Sequence, residues 1–233
     1  MTTIIQTDGD FSAVASGLIL PVDGPANWHI LGGALASSLR NLGDPTKAAT
    51  AVGAPNVQPS YLSMDNNGNY LETGTADASG LTLFAVARAP AATQSARAIS
   101  NATSTGGVSL YMSTTNAVTV SAFYSDTGST AQITSAAIAN RTAWRLLVAR
   151  FDASGQTVWD KTGGGTATLA KASPRVLATG TFRLGSRIPA NTGSEIDMAF
   201  GAIYRRALSN QDIDALCAFI RSEMAYQPDP ITV

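Results

Sequence analysis

Two carboxylates on a single predicted strand are the first residues that could do chemistry. In the stretch SEIDMAFG (194–201), Glu195 and Asp197 share a face because alternate residues of a strand point the same way. Retaining glycosidases need two carboxyl groups about 5–5.5 Å apart. A Glu-x-Asp-x-(x)-Glu signature would place its second glutamate at position 199 or 200, where the chain has Ala199 and Phe200. Glu195 and Asp197 alone would stand about 7 Å apart. We therefore predict no catalytic residues and no enzymatic activity, with glycoside hydrolysis the least favoured of three functions.

The chain contains one histidine, His29, and one cysteine, Cys217. A Ser-His-Asp triad would have to use His29, and no Gly-x-Ser-x-Gly turn is present. One histidine and one cysteine cannot form a structural zinc site. We expect a packed or surface role for His29 and a buried, unreactive Cys217.

A calcium site is the one cofactor that the sequence leaves open. Asp65, Asn67 and Asn69 of DNNGN carry hard oxygen ligands at alternate positions, which suits calcium. The alternative is a β-hairpin with Asn67-Gly68 at its centre, and Asn-Gly is a preferred type I′ turn. We favour the hairpin turn, and otherwise we expect no cofactor.

Two aromatic–carboxylate pairs could contact a sugar. Trp159 with Asp160 precedes a glycine-rich loop, and Tyr124 with Asp126 ends another predicted strand. Aromatic rings would stack on the sugar while the carboxylates hold its hydroxyl groups. Packing in a core or an interface is the alternative for both rings. Only 7% of residues are aromatic, so we do not expect a broad aromatic platform.

The elements that must position these residues are short β-strands. Glycine-containing turn signals recur every 8–15 residues, which is typical of a β-sandwich or barrel. One helix is predicted after Ser209, because Ser209 and Asp212 form a capping pair and an apolar stripe follows at helical spacing. The stripe is Ile213, Leu216, Cys217, Ile220 and Met224, and the predicted strands are 81–89, 107–113, 117–125, 143–152, 156–160, 180–186 and 196–205.

The composition limits the classes of binding partner that we expect for this chain. The chain of 233 residues has a formal net charge of −1 and 13% charged residues, which argues against nucleic acid as a partner. No apolar run is long enough to cross a membrane, and residues 1–10 lack the features of a secretory signal. We expect synthesis in a bacterial host cytoplasm without a signal peptide and without membrane insertion. Twelve arginines against three lysines suit contacts between protein surfaces.

Most of the chain carries a family likeness. Its pattern resembles the laminin-G-like branch of the concanavalin A-like jelly rolls, over about residues 40–225. The matching elements are Trp144, Phe151-Asp152, Leu184-Gly185-Ser186, Gly201-Ala202-Ile203-Tyr204 and Arg206-Ala207-Leu208-Ser209. Residues 41–74 are similar to the entry segment of members found in bacteriophage tail and virion proteins. The resemblance implies two antiparallel sheets packed face to face, and a core position for Trp144.

We therefore predict an all-β, two-sheet antiparallel jelly-roll sandwich with one short C-terminal helix. The expected organisation is an N-terminal arm or edge strand (1–25), one domain (26–225) and a C-terminal tail (226–233). The expected function is that of a structural or assembly protein of a phage-like virion, bound to itself as a homo-oligomer and to other virion proteins. The alternative is a carbohydrate-binding adhesin module that recognises host surface glycans.

Overall fold

The computed structural model describes residues 20–65, 68–91, 94–188 and 194–233. Their strands, in chain order, are β1 (Asn27–Ile30), β2 (Thr50–Val52), β3 (Asn56–Val57), β4 (Leu62–Met64), β5 (Tyr70–Ala76), β6 (Leu81–Arg88), β7 (Ala96–Ser100), β8 (Val108–Met112), β9 (Ala117–Ala122), β10 (Gln132–Ala137), β11 (Arg145–Asp152), β12 (Gly155–Asp160), β13 (Gly165–Ala170), β14 (Thr181–Leu184) and β15 (Ile196–Tyr204). The helices are α1 (Leu35–Leu39) and α2 (Asn210–Ala225).

The strands form two antiparallel sheets. The eight-stranded sheet has the order β13-β12-β11-β6-β15-β4-β3, with β1 also paired to β15. The seven-stranded sheet has the order β10-β9-β8-β7-β14-β5-β2. Neighbours in both sheets pair in antiparallel register, so the predicted all-β sandwich is confirmed.

Alternation along each strand divides the apolar residues between two cores. In β6, Leu83 and Ala85 face the seven-stranded sheet and join the cluster between the sheets. Phe84 and Val86 point to the outer face of the eight-stranded sheet and belong to a second cluster. Because β6 is buried on both faces, it reads as a continuous apolar run rather than as an alternating one.

Helix α2 covers the outer face of the eight-stranded sheet. The side chain of Ser209 accepts from the backbone N–H of Asp212, and the Asp212 carboxylate accepts from the backbone N–H of Ser209, as the capping pair predicts. All five residues of the predicted stripe are buried in the second cluster. Burial raises the pKa of the Cys217 thiol to about 11. Among the described residues, no helix is both long and apolar enough to cross a membrane.

Residues 20–25 and the C-terminal residues pack on the domain. In the described part of the predicted arm, Leu20 and Val22 pack against the second cluster, and the Tyr204 hydroxyl donates to the Val22 carbonyl at 3.0 Å. Residues 1–19 lie outside the described residues. In the predicted tail, Ile231 is buried and its N–H donates to the Met224 carbonyl. Residues 20–25 and the tail therefore contribute to the second cluster.

The hairpin between β11 and β12 differs from its prediction by one residue. The stretch FDASGQTVWD (151–160) predicts a hairpin with Ser154-Gly155 at its tip. In the structure Asp152 pairs with Gly155, so the turn consists of Ala153 and Ser154. Gly155 has a φ of 132°, and a Cβ there would collide with the backbone of Leu169 on β13. Glycine is required because β13 approaches closely.

Candidate functional site

One row of side chains crosses the outer face of the eight-stranded sheet, near one end of its strands. Asp197 of β15 pairs with Arg88 of β6 on one side and with Ser63 of β4 on the other. Ser63 in turn pairs with Asn56 of β3. Trp144 precedes Arg145, which pairs with Ala87, so Trp144 lies beside Arg88. Directly paired residues share a face, and the register therefore brings together residues that are far apart in the sequence.

Two half-buried aromatic rings flank Arg88. Its guanidinium lies 4.7 Å from the Trp144 ring centre and 5.1 Å from that of Tyr61. The two rings contact each other edge to face, with centres 5.4 Å apart. An Arg88 N–H also donates to the Tyr61 hydroxyl at 3.3 Å. We call Tyr61, Arg88 and Trp144 the aromatic platform; the resemblance implied a core position for Trp144, but its ring is only half-buried.

Asp197 fixes the orientation of the aromatic platform. Its side chain is only 4% exposed; Arg88 Nε donates to Oδ2 at 2.7 Å, and Ser63 Oγ donates to Oδ1 at 2.6 Å. Both carboxylate oxygens therefore have a partner. Glu195 immediately precedes β15 and is exposed. The two carboxylates have different environments: one anchors an arginine and the other faces solvent.

An open groove continues from this row toward the edge of the sheet. Its volume is about 270 Å³, close to the lower limit for small-molecule pockets. Most of the lining side chains are polar: Asn56, Ser63, Asp65, Asn69 and Glu195, with Ala54 and Met64. Amide, hydroxyl and carboxylate groups of this kind accept from and donate to hydroxyl groups, which is the chemistry that a sugar offers.

Asp65 and Asn69, two of the three predicted calcium ligands, line this groove. Asp65 Oδ1 accepts from the Gly68 N–H at 2.9 Å, and Asp65 Oδ2 accepts from Asn69 Nδ2 at 2.6 Å. Asn69 Oδ1 accepts from the Ala54 N–H at 2.8 Å. The first two bonds lie within a turn in which Asp65 pairs with Asn69, and the third joins this turn to Ala54. Asn67 lies outside the described residues. Among those described, no group of three or more histidine, cysteine or acidic side chains could hold a metal ion.

Trp159 and Asp160 point to opposite sides of β12, because successive residues of a strand do. Asp160 is 1% exposed, pairs with Arg145 at 3.2 Å and accepts from the Thr162 N–H. Its carboxylate has no exposed surface for a sugar. Trp159 is half-buried on the outer face, with Arg150 and Lys161 at 5.3 and 5.5 Å from its ring.

Tyr124 and Asp126 are separated in a similar way. Tyr124 is 2% exposed in the cluster between the sheets, where its hydroxyl donates to Gln156 Oε1 at 3.2 Å. Burial raises the pKa of Tyr124 to about 12. Its ring therefore has no free face for stacking, contrary to the sequence interpretation. Asp126 is exposed and paired with Lys171 at 2.9 Å. Trp159 and Tyr124 lie on opposite sides of the eight-stranded sheet, so the four residues do not form one site.

The sequence interpretation missed the aromatic platform. Its local signals are weak: Arg88 ends an apolar strand, Tyr61 precedes a short one, and Trp144 matches a position that the resemblance places in the core. Only the pairing of β6 with both β11 and β15 brings them together.

Comparison with known proteins identifies the fold. No protein-family model matches the chain, and none of the curated proteins matches it. Solved structures do match. A botulinum neurotoxin DC binding domain in complex with SialylT has a TM-score of 0.63 at 10% identity over 85% of this chain and 52% of that one. The botulinum neurotoxin serotype D/C VPI 5993 binding domain has 0.61 at 11% identity, over 84% of this chain and 52% of that one.

A third match is to an enzyme. Trypanosoma rangeli sialidase in complex with sialic acid has a TM-score of 0.60 at 13% identity, over 89% of this chain and 34% of that one. The chain therefore spans about half the length of the neurotoxin domains and about a third of the sialidase. At these identities the likeness establishes a lectin-like β-sandwich fold. Membership of a virion is a separate prediction that these matches do not test.

Proposed function

We propose that the chain is a non-catalytic carbohydrate-binding module. The observation that carries the proposal is the aromatic platform on the outer face of the eight-stranded sheet, together with an open polar groove that is lined in part by Ser63, the residue bonded to Asp197. The fold neighbours support the class of ligand: one is described in complex with SialylT and another in complex with sialic acid.

The two parts of this site have complementary roles. A sugar ring has an apolar face that packs on an aromatic ring, and Tyr61 and Trp144 keep part of their rings exposed. Its hydroxyl groups need donors and acceptors, which Asn56, Ser63 and Glu195 supply along the groove. Asp197 holds Arg88 against both rings before any ligand arrives, so little side-chain entropy is lost on binding.

The absence of catalysis is part of the proposal. Asp197 uses both of its oxygens to hold Arg88 and Ser63, which leaves Glu195, just before β15, as the exposed carboxylate. Ala199 and Phe200, where a second glutamate would be needed, are buried. A retaining hydrolase requires two carboxylates at one scissile bond. One fold neighbour is a sialidase, so we test for catalysis directly. Turnover of a polysaccharide by the wild type that is lost in Glu195→Gln would contradict the non-catalytic proposal.

A glycan array tests the main proposal. We expect the wild type to bind a set of glycans, Trp144→Ala to lose that binding, and Trp159→Ala to retain it. The two variants are matched, because each removes a half-buried indole from the same outer face and each indole lies beside a cation. If Trp144→Ala keeps glycan binding and Trp159→Ala loses it, the site lies at Trp159, the residue that the sequence analysis proposed. Absence of binding by the wild type would refute the proposal.

A second candidate function is a self-associating structural protein of a phage-like virion. It is favoured by the edge strand β10, which pairs with β9 alone among the described strands and carries Ile133 at 60% exposure. Exposed apolar edge strands are templates for pairing with another chain. A self-associating protein of this kind would bury Trp28 against a neighbouring chain. Trp28 is instead buried inside its own chain, with its ring centre 4.7 Å from that of Phe200.

Light scattering tests self-association. Truncation should stop at residue 19, because Leu20 and Val22 belong to the folded domain. We expect an oligomer that dissociates when residues 1–19 are removed or when Ile133→Lys places a charge on β10. A wild-type monomer would refute this second candidate and leave carbohydrate binding unaffected.

A further inference from the structure

Two arginines and two tyrosines lie on the outer face of the seven-stranded sheet, on the opposite side of the sandwich from α2. In β7, Ala96 and Ala98 face the core, so Arg97 between them faces outward. In β14, Phe182 and Leu184 face the core, so Arg183 between them also faces outward. We call Arg97, Arg183, Tyr70 and Tyr111 the arginine–tyrosine cluster.

Each of two arginines lies over a tyrosine ring. The Arg97 guanidinium is 3.7 Å from the centre of the Tyr111 ring, and an Arg97 N–H donates to Ser109 Oγ at 3.3 Å. The Arg183 guanidinium is 4.6 Å from the centre of the Tyr70 ring, and its Nη1 donates to the Arg187 carbonyl at 2.9 Å. Contact with a ring restrains each guanidinium, and the planar fork of an arginine side chain matches the paired oxygens of an oxyanion.

Arg97 and Arg183 have little negative charge beside them. Among the described residues, the ion-pair partner of these two arginines is Glu72, whose Oε1 lies 3.6 Å from Arg183 Nε and whose side chain is 38% exposed. No described carboxylate lies within 4.0 Å of an Arg97 nitrogen. Burial lowers the pKa of Arg97. A partly buried guanidinium without a neighbouring carboxylate is an arrangement that an anion would stabilise.

We propose that the arginine–tyrosine cluster is a second binding site, which takes an oxyanion substituent of a sugar. Both a carboxylate and a sulfate ester present the paired oxygens that a guanidinium binds in a bidentate manner. The site is separate from the aromatic platform, which lies on the other sheet, and the proposal does not depend on it.

The test compares three probes that share one disaccharide: lactose, 3′-sialyllactose and lactose 3′-sulfate. Titration calorimetry is carried out on the whole chain in the Trp144→Ala background, so that the aromatic platform contributes little. We expect at least one acidic probe to bind about tenfold or more tightly than lactose, with the difference lost in Arg97→Gln/Arg183→Gln. The carboxylate and sulfate arms identify which oxyanion the cluster prefers.

Lys47→Gln is the matched control, because it removes one positive charge from a side chain that is 72% exposed and lies outside the cluster. The control should keep the preference for acidic probes. Should the double variant fail to fold, Arg183→Gln alone and Arg97→Lys provide the same comparison, and raising the NaCl concentration from 50 to 500 mM should weaken only the acidic probes. Equal affinities for the three probes, or a preference that survives in folded arginine variants, would overturn the proposal. Loss of neutral-glycan binding in Trp144→Ala concerns the other site alone.

Discussion

Replacing Asp197 by asparagine tests whether this carboxylate organises the aromatic platform. The substitution keeps the size of the side chain and one acceptor for Ser63, but it removes the charge that faces Arg88 at 2.7 Å. Breaking a fully buried ion pair costs about 3–5 kcal/mol. Arg88 is 31% exposed, so water can solvate it in part, and we expect a smaller loss of about 1–2 kcal/mol.

Thermal unfolding measures this loss. For a chain of this size, 1 kcal/mol corresponds to about 2–4 °C, so Asp197→Asn should lower the melting temperature by about 2–8 °C. Glu195→Gln is the matched control: it neutralises a carboxylate two residues away in the sequence, but an exposed one, and should leave the melting temperature unchanged. A double-mutant cycle with Arg88→Gln should show non-additivity. Equal melting temperatures for Asp197→Asn and Glu195→Gln, or strict additivity, would refute the assigned role.

Three further predictions concern the framework. Asp77→Ala should cost about 3–5 kcal/mol in urea unfolding, because it leaves Arg175 without the carboxylate that binds both of its terminal nitrogens; a loss comparable to that of an exposed pair would contradict this. Burial lowers the pKa of His29 from 6.5 to about 4, so the unfolded chain binds the extra proton between these values. Stability should therefore fall as the pH drops below 6.5, by about 2 kcal/mol at pH 5 from this residue, and His29→Gln should remove that part of the pH dependence. Ser209→Ala should cost about 1 kcal/mol through loss of the α2 cap, and a guanidinium chloride midpoint equal to that of wild type would refute the capping role.

Local patterns predicted the elements of this fold well. The capping pair at Ser209 and the five-residue apolar stripe define α2, because both depend on residues within one or two turns of each other. The run 81–89 predicted β6 for the same reason. Turn positions were predicted less well: Gly155 was placed in the tip, whereas its role comes from the approach of β13, a strand ten residues further on.

The candidate site could not be predicted in the same way. Tyr61, Arg88, Trp144 and Asp197 lie on four separate segments, and only the register of the eight-stranded sheet brings them together. Conversely, Trp159 and Asp160 are adjacent in sequence but point to opposite faces. Proximity in the sequence therefore indicated a site where the fold does not form one.

The three tryptophan indole N–H signals in an NMR spectrum give the most direct test of carbohydrate binding at the aromatic platform. Trp28 is buried, Trp144 belongs to the platform and Trp159 lies beside Lys161. On titration with the glycan that the array selects, the Trp144 signal should shift in a saturable manner while the Trp28 and Trp159 signals stay in place. A titration that leaves the Trp144 signal unmoved, or that shifts only the Trp159 signal, would contradict the assignment of the site.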